Sequence, residues 1–167
     1  QMVGFARLQG VGAVGARLLF PNDTVQHAGI LHGFNQGSLA LAFRGLPREH
    51  PGYLAAARVC RNYGAVTAAC MLTPRRLFLE LGGFDEKDFA VSFNDVDYCY
   101  RLLDRGYRCV YAAEAELYHH EGATRGIGSR VEEVARFRQR YGHRSEPYYN
   151  PNLSTTGAHF EVRPRRL

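Results

Sequence analysis

The chain has 167 residues, 46% hydrophobic and 12% aromatic, with a formal charge of +5. That length suits a single domain with a buried core, and no low-complexity run, internal repeat, or linker rich in Gly/Ser or Pro divides it. No apolar stretch approaches a membrane span, "QMVGFARLQG" lacks the apolar core of a signal peptide, and the arginine-dominated basic residues are scattered apart from "RPRR", so neither a transmembrane segment nor a nucleic-acid partner is expected.

In chain order, "GVGAVG" (Gly10 to Gly15) matches the dinucleotide fingerprint letter for letter. That fingerprint needs a preceding strand, a helix opening at the glycines and an acid about 20 positions on. Here Pro21 comes too soon for a helix, Val14, Ala16 and Leu18 alternate as in a strand, and no acid lies near Gly29 to Asn35. The expectation is a buried strand over about Gly12–Phe20 whose small residues permit close packing. "PNDT" is a turn, "VQHAGILHGF" a short strand or ordered loop, and "GSLALAFRGLPREHPG" a surface excursion. "YLAAARVCRN" reads as a short helix and "YGAVTAACMLTP" as a strand rich in small residues. Thr73 should cap a helix that begins with Pro74 and stops at Gly82-Gly83.

The next helix carries Val96, Cys99, Tyr100 and Leu103 on one face, with Asn94 or Ser92 as cap and Gly106 as its end. "YRCVYA" and "AELYHH" follow as strands, and "SRVEEVARFRQRYG" as a second amphipathic helix. Alternating strands and helices argue for an α/β domain with a mixed sheet. Cys60, Cys70, Cys99 and Cys109 form no C-x-x-C pair and read as reduced, buried thiols.

"SFNDVDYCYRLLDRGYR" holds the chemistry. Asp95 and Asp97 both sit in the first helical turn, where the N-terminal partial charge favours carboxylates. Asp97 is four residues from Arg101 and can pair with it along the surface. On a helix, residues i and i+2 diverge by about 200°, so the two aspartates do not converge on one metal ion. A lone Asp95 is either a first-turn acid or a general base.

The ordered set "VTAACMLTPRRLFLELGGFDE", "NDVDYCYRLLDRGY" and "RCVYAAEAELYHHEGATRG" resembles the C-terminal half of the family 2 glycosyltransferases, over about Gly12 to Gly126. The resemblance implies a GT-A-like mixed sheet flanked by helices. It implies Asp95 as catalytic base, with Asn94 standing where relatives usually carry Glu. His119 matches the histidine that helps hold metal and diphosphate, in preference to His120. Gly82, Gly83, Phe84 and Asp85 match a wall of the acceptor pocket. Thr67 and Ala68 match a segment facing sugar and acceptor, with Ala68 replacing a glycine. Arg125 is a candidate for the diphosphate, since arginine fits that anion bidentately.

No Asp-x-Asp motif precedes the "VGAVG" strand, so the fold is expected to be incomplete, lacking the N-terminal nucleotide-binding half. Residues 1–167 are then a single acceptor-side domain, with 145–167 as a tail packed on it or partly disordered. The implied activity is an inverting transfer from a nucleotide-sugar donor to a glycan or lipid-linked acceptor hydroxyl, in bacterial polysaccharide or cell-surface glycan synthesis. The complete enzyme would use a divalent cation, Mn or Mg, and this chain alone would be inactive. The expected place is the cytoplasm, including the inner face of the membrane. The alternatives are a binding module of the same fold for carbohydrate or protein, and a metal-dependent hydrolase built on Asp95, Asp97, His119 and His120.

Overall fold

A computed structural model describes residues 1–34, 38–120 and 131–163. Its centre is a pair of long parallel strands, β1 (Val11–Leu19) and β7 (Arg108–Tyr118), in register from Val11 opposite Arg108 to Leu19 opposite Tyr118. The register jumps between Ala16 and Arg17, where β7 advances from Ala112 to Glu116, so "YRCVYA" and "AELYHH" are one irregular strand. Antiparallel partners complete the mixed sheet in the order β2 (Val25–His27), β1, β7, β5 (Arg61–Tyr63), with β6 (Met71–Leu72) also on β1. A hairpin of β3 (Ile30–Phe34) and β4 (Ser38–Leu41) stands apart from it. The helices are α1 (Met2–Ala6), α2 (Arg75–Glu80), α3 (Asn94–Asp104) and α4 (Val131–Tyr141).

All nine residues of β1 are buried, as expected of a strand covered on both faces. Its glycines are needed for that. A Cβ on Gly15 would lie 2.5 Å from Val66 Cβ, and one on Gly12 would lie 2.7 Å from a Leu102 methyl. The fingerprint-like "GVGAVG" is therefore a packing motif. One apolar cluster joins Ala13 and Val66 to Val96, Cys99 and Leu102 of α3 and Phe137 of α4. All four cysteines are free; Cys99 and Cys109 are buried.

Several local expectations are corrected. "YLAAARVCRN" forms only a 3-10 turn at Tyr53–Ala55 before β5, and "YGAVTAACMLTP" is mostly loop, with a 3-10 turn at Ala68–Cys70 and the two-residue β6. Neither has a length of apolar periodicity to sustain a longer element. The "surface excursion" contains β4 and places Ala42 and Phe43 in the core. Thr73 does not cap α2; its hydroxyl donates to the Gly12 carbonyl at 2.7 Å and bonds the Tyr98 hydroxyl. The residue before α3 is Phe93, in left-handed backbone (φ 65), with no side-chain cap from Asn94 or Ser92. Gly82 and Gly83 do end α2, both at positive φ, with the Gly83 N–H bonded to the Phe78 carbonyl.

Residues 145–163 lie against the domain. Leu153 and Phe160 are buried, and Phe160 contacts the rings of Phe43 and Tyr149. Glu146 is buried and accepts the Gly64 N–H at 2.7 Å. Its burial, only partly offset by that and other backbone N–H donors, pushes its carboxyl up to about 7.

Candidate active site

The C-terminal ends of β1 and β7 point to the same side, and in open α/β sheets that is where ligands bind. A cavity of about 320 Å³ lies there. Its polar lining brings together Asp95, Thr67, His119, Gln26, His27 and Arg44; its apolar lining includes Ile30, Leu39, Leu41 and Phe93.

Asp95 enters from the first turn of α3. Its carboxylate accepts the Ala68 N–H at 3.0 Å and the Val96 N–H at 2.8 Å. Part of the side chain still opens on the cavity, yet the surrounding protein is dense. Desolvation is the larger influence and raises the carboxyl above the usual carboxylate range, against the Ala68, Thr67 and Val96 hydrogen bonds that lower it. A carboxylate held in fixed geometry, with its proton affinity raised, is suited to general-base work.

The 67–68 segment is held in turn by His27. That ring is buried, its Nδ1 lies 3.0 Å from the Ala16 carbonyl, and its Nε2 accepts the Thr67 N–H at 3.2 Å. Nδ1 therefore carries the proton and the ring is neutral; burial pushes its pKa down to about 4, against the hydrogen bond to Ala16. Thr67 also accepts the Ala69 N–H, which caps the short turn that presents Ala68 to Asp95.

His119 follows the last residue of β7, anchored by its N–H to the Leu19 carbonyl at 2.9 Å. Its Nδ1 lies 2.7 Å from Gln26 Oε1, while Gln26 Nε2 donates to the His119 carbonyl at 3.1 Å. His119 is half-buried and lines the cavity; His120 is exposed.

Asp97 belongs elsewhere. It is 1% exposed, not on the surface, and pairs with Arg101 at 2.8 Å, with Arg140 at 3.2 Å and with the Tyr141 hydroxyl at 2.6 Å. Gly82, Gly83, Phe84 and Asp85 line a second depression, of about 500 Å³, together with Asp97, Arg101 and Arg140. They do not line the Asp95 cavity. Asp85 accepts the N–H groups of Lys87 and Asp88 and pairs with Arg140 at 2.9 Å. Partial burial raises its carboxyl, but those donors and Arg140 outweigh this and leave it below the usual range. Asn94 is the first residue of α3 and half-buried. Arg125 lies outside the described residues.

Among the described residues, no group of three or more His, Cys, Asp or Glu side chains converges as a metal site. Asp95, Asp97, His119 and His120 do not form the cluster that a metal-dependent hydrolase would need. His119 offers a single nitrogen.

Sequence reading missed Gln26, His27 and Arg44. Gln26 and His27 lie in a three-residue strand with no motif around them, and Arg44 lies in the segment read as surface. The available signal was local: two adjacent polar residues, flanked by valine and alanine, in a stretch read as a short strand or ordered loop.

Fold and site together define an α/β domain whose mixed sheet carries a carboxylate and histidine cavity at its C-terminal edge. No protein-family model matches the chain. It is 39% identical over 163 residues to "Uncharacterized protein y4gI" of Sinorhizobium fredii, covering 92% of this chain and 18% of that protein. It is 40% identical over 163 residues to "O-antigen biosynthesis protein RfbC" of Myxococcus xanthus, covering 93% of this chain and 12% of that protein. Over 66 residues it is 38% identical to an N-acetylglucosaminyl-diphospho-decaprenol L-rhamnosyltransferase of Mycobacterium tuberculosis, covering 40% of this chain and 21% of that protein. The chain thus spans only a small part of the length of these relatives, whose names include O-antigen biosynthesis and sugar transfer.

Proposed function

We propose that this chain is part of an inverting family 2 glycosyltransferase of GT-A fold, supplying its base and acceptor side. The observation that carries the reading is that Asp95, Thr67 and His119, separated by up to about a third of the chain, line one cavity, with Ala68 behind its wall bonded to Asp95. The names of the relatives, O-antigen biosynthesis and rhamnosyl transfer to a diphospho-decaprenol-linked sugar, support a role in bacterial surface-polysaccharide synthesis with a nucleotide-sugar donor.

Asp95 would take the proton from an acceptor hydroxyl as its oxygen attacks the anomeric carbon, and the bond to the nucleoside diphosphate breaks on the opposite face. One displacement inverts the anomeric configuration. Ala68 and Val96 hold the carboxylate, and His27 holds the loop that carries Ala68. A divalent cation, Mn or Mg, when bound, supplies charge neutralisation for the leaving diphosphate; His119 fits such a role through Nε2, which has no hydrogen-bond partner among the described residues. The depression lined by Gly82 to Asp85 is assigned to a more distal part of the acceptor, and Arg125 and Arg44 to the diphosphate.

The test uses the full-length parent protein with a panel of nucleotide-sugars and lipid-linked or free glycan acceptors, with NMR of the product. The expected result is transfer with inverted configuration, lost in Asp95→Asn with acceptor binding retained. Retention of configuration, or full transfer by Asp95→Asn, overturns the assignment. Acceptor binding without transfer by the wild type favours the binding module.

A further inference from the structure

We propose that Gln26 is a positioning residue that fixes the tautomer and orientation of His119, leaving Nε2 as the nitrogen with the lone pair. The tautomer follows from the contacts alone; its use toward a diphosphate or cation rests on the function proposed above.

Gln26 makes two bonds to this one residue, across 93 positions of sequence. A backbone carbonyl only accepts, so the amide end facing the His119 carbonyl at 3.1 Å is the NH₂ group. The other end, 2.7 Å from Nδ1, is then the amide oxygen, which also only accepts. Nδ1 must carry the proton, and in the neutral ring Nε2 cannot. Gln26 is 4% exposed, so water has little access to compete for these bonds. The His119 main chain is tied to Leu19 and its side chain to Gln26, which restricts the ring at both ends. A second-sphere partner on one imidazole nitrogen orients the other and raises its basicity as a ligand. Gln26 and His27 thus divide the work of β2, Gln26 aligning His119 and His27 aligning the loop that holds Asp95.

The test is long-range ¹H–¹⁵N NMR of the histidine rings of the whole chain in alkaline buffer, where neutral rings report their tautomer. Wild type should show His119 protonated on Nδ1 with a pyridine-like Nε2. Gln26→Leu should convert His119 to a mixture of tautomers while the buried Nδ1–H form of His27 persists, which shows that the fold is intact. Gln26→Glu, which keeps an acceptor for Nδ1–H, should restore the Nδ1–H form. A wild-type His119 protonated on Nε2, or an unchanged His119 signal in a folded Gln26→Leu chain, overturns the proposal. Should Gln26→Leu not fold, the wild-type spectrum decides it. Adding Mn²⁺ with a nucleoside diphosphate separates the two readings. In the full-length parent protein, Nδ1–H without paramagnetic broadening of His119 leaves the Gln26 assignment standing and removes the metal role.

Discussion

Asp95 and Asp97 leave the same helical turn and meet different surroundings. Asp95 receives two backbone N–H groups and opens on a cavity; its proton affinity is raised. Asp97 is enclosed by two guanidinium groups and a tyrosine hydroxyl that join α3 to α4. Among the described residues, the first carboxylate has no counter-charge among its hydrogen-bond partners, and it retains an exposed side. The second is saturated, which makes it structural. The comparison teaches that partner chemistry, more than position in a motif, separates a carboxylate open to a cavity from one tied into the scaffold.

Exchanging the two residues' roles in mutants should break this contrast if it is wrong. Asp95→Asn in the full-length protein should lower transfer by about 10²–10⁴-fold, measured as product formed per enzyme, with the urea midpoint unchanged or raised. Asp97→Ala should do the reverse. Leaving Arg101 and Arg140 without their buried partner should cost about 3 kcal/mol, read as a lower urea midpoint at unchanged slope. Equal destabilisation by both would erase the distinction.

Acid should sharpen it. His27 has a folded pKa of about 4 against 6.5 when exposed. Its contribution is present above 6.5 and lost as pH falls toward about 4, a span worth on the order of 3 kcal/mol. Asp85, bonded to Arg140 of α4, has a lowered pKa, so its contribution is present above the ordinary 3.8 and is lost only as pH falls below it. The protection factors of the Thr67 and Ala68 amides, taken relative to intrinsic exchange at each pH, should therefore fall between pH 6.5 and 4, before those of the Lys87 and Asp88 amides. Simultaneous loss would show that the two regions open as one unit.

Beneath both regions, Gly15→Ala should cost about 1–3 kcal/mol by forcing a methyl against Val66, checked by thermal melting, and should disturb the 67–68 loop before the α3–α4 knot. The smallest effect belongs to the exposed Arg76–Glu80 pair on α2. Arg76→Ala should change stability by no more than about 0.5 kcal/mol, which calibrates how much of the Asp97 effect comes from burial.

Much of the layout was legible in the chain. The "VGAVGARLL" strand, the α3 face of Val96, Cys99 and Tyr100, the Gly82-Gly83 stop and the pairing of Asp97 with Arg101 all rest on local rules: period, turn chemistry and i,i+4 geometry. The short elements were less legible. "VQHAGILHGF" reads only as a short strand or ordered loop, and it holds β2 and β3; β5 and β6, of three and two residues, are too short for periodicity and exist because β1 and β7 offer edges to pair with. Asp97 read as a surface partner because its other partners, Arg140 and Tyr141, lie more than 40 residues away.

By itself the sequence determined the α/β alternation, the α3 helix with its two acids and the resemblance that singles out Asp95 and His119. Only the tertiary structure decided which acid opens on the cavity and which is enclosed by arginines, that Gly82 to Asp85 line a separate depression, and that Gln26 bonds His119 while His27 bonds the Thr67 loop. The reason is physical: local propensity depends on neighbours a few residues apart, whereas desolvation and hydrogen-bond direction depend on groups the fold brings together from distant parts of the chain.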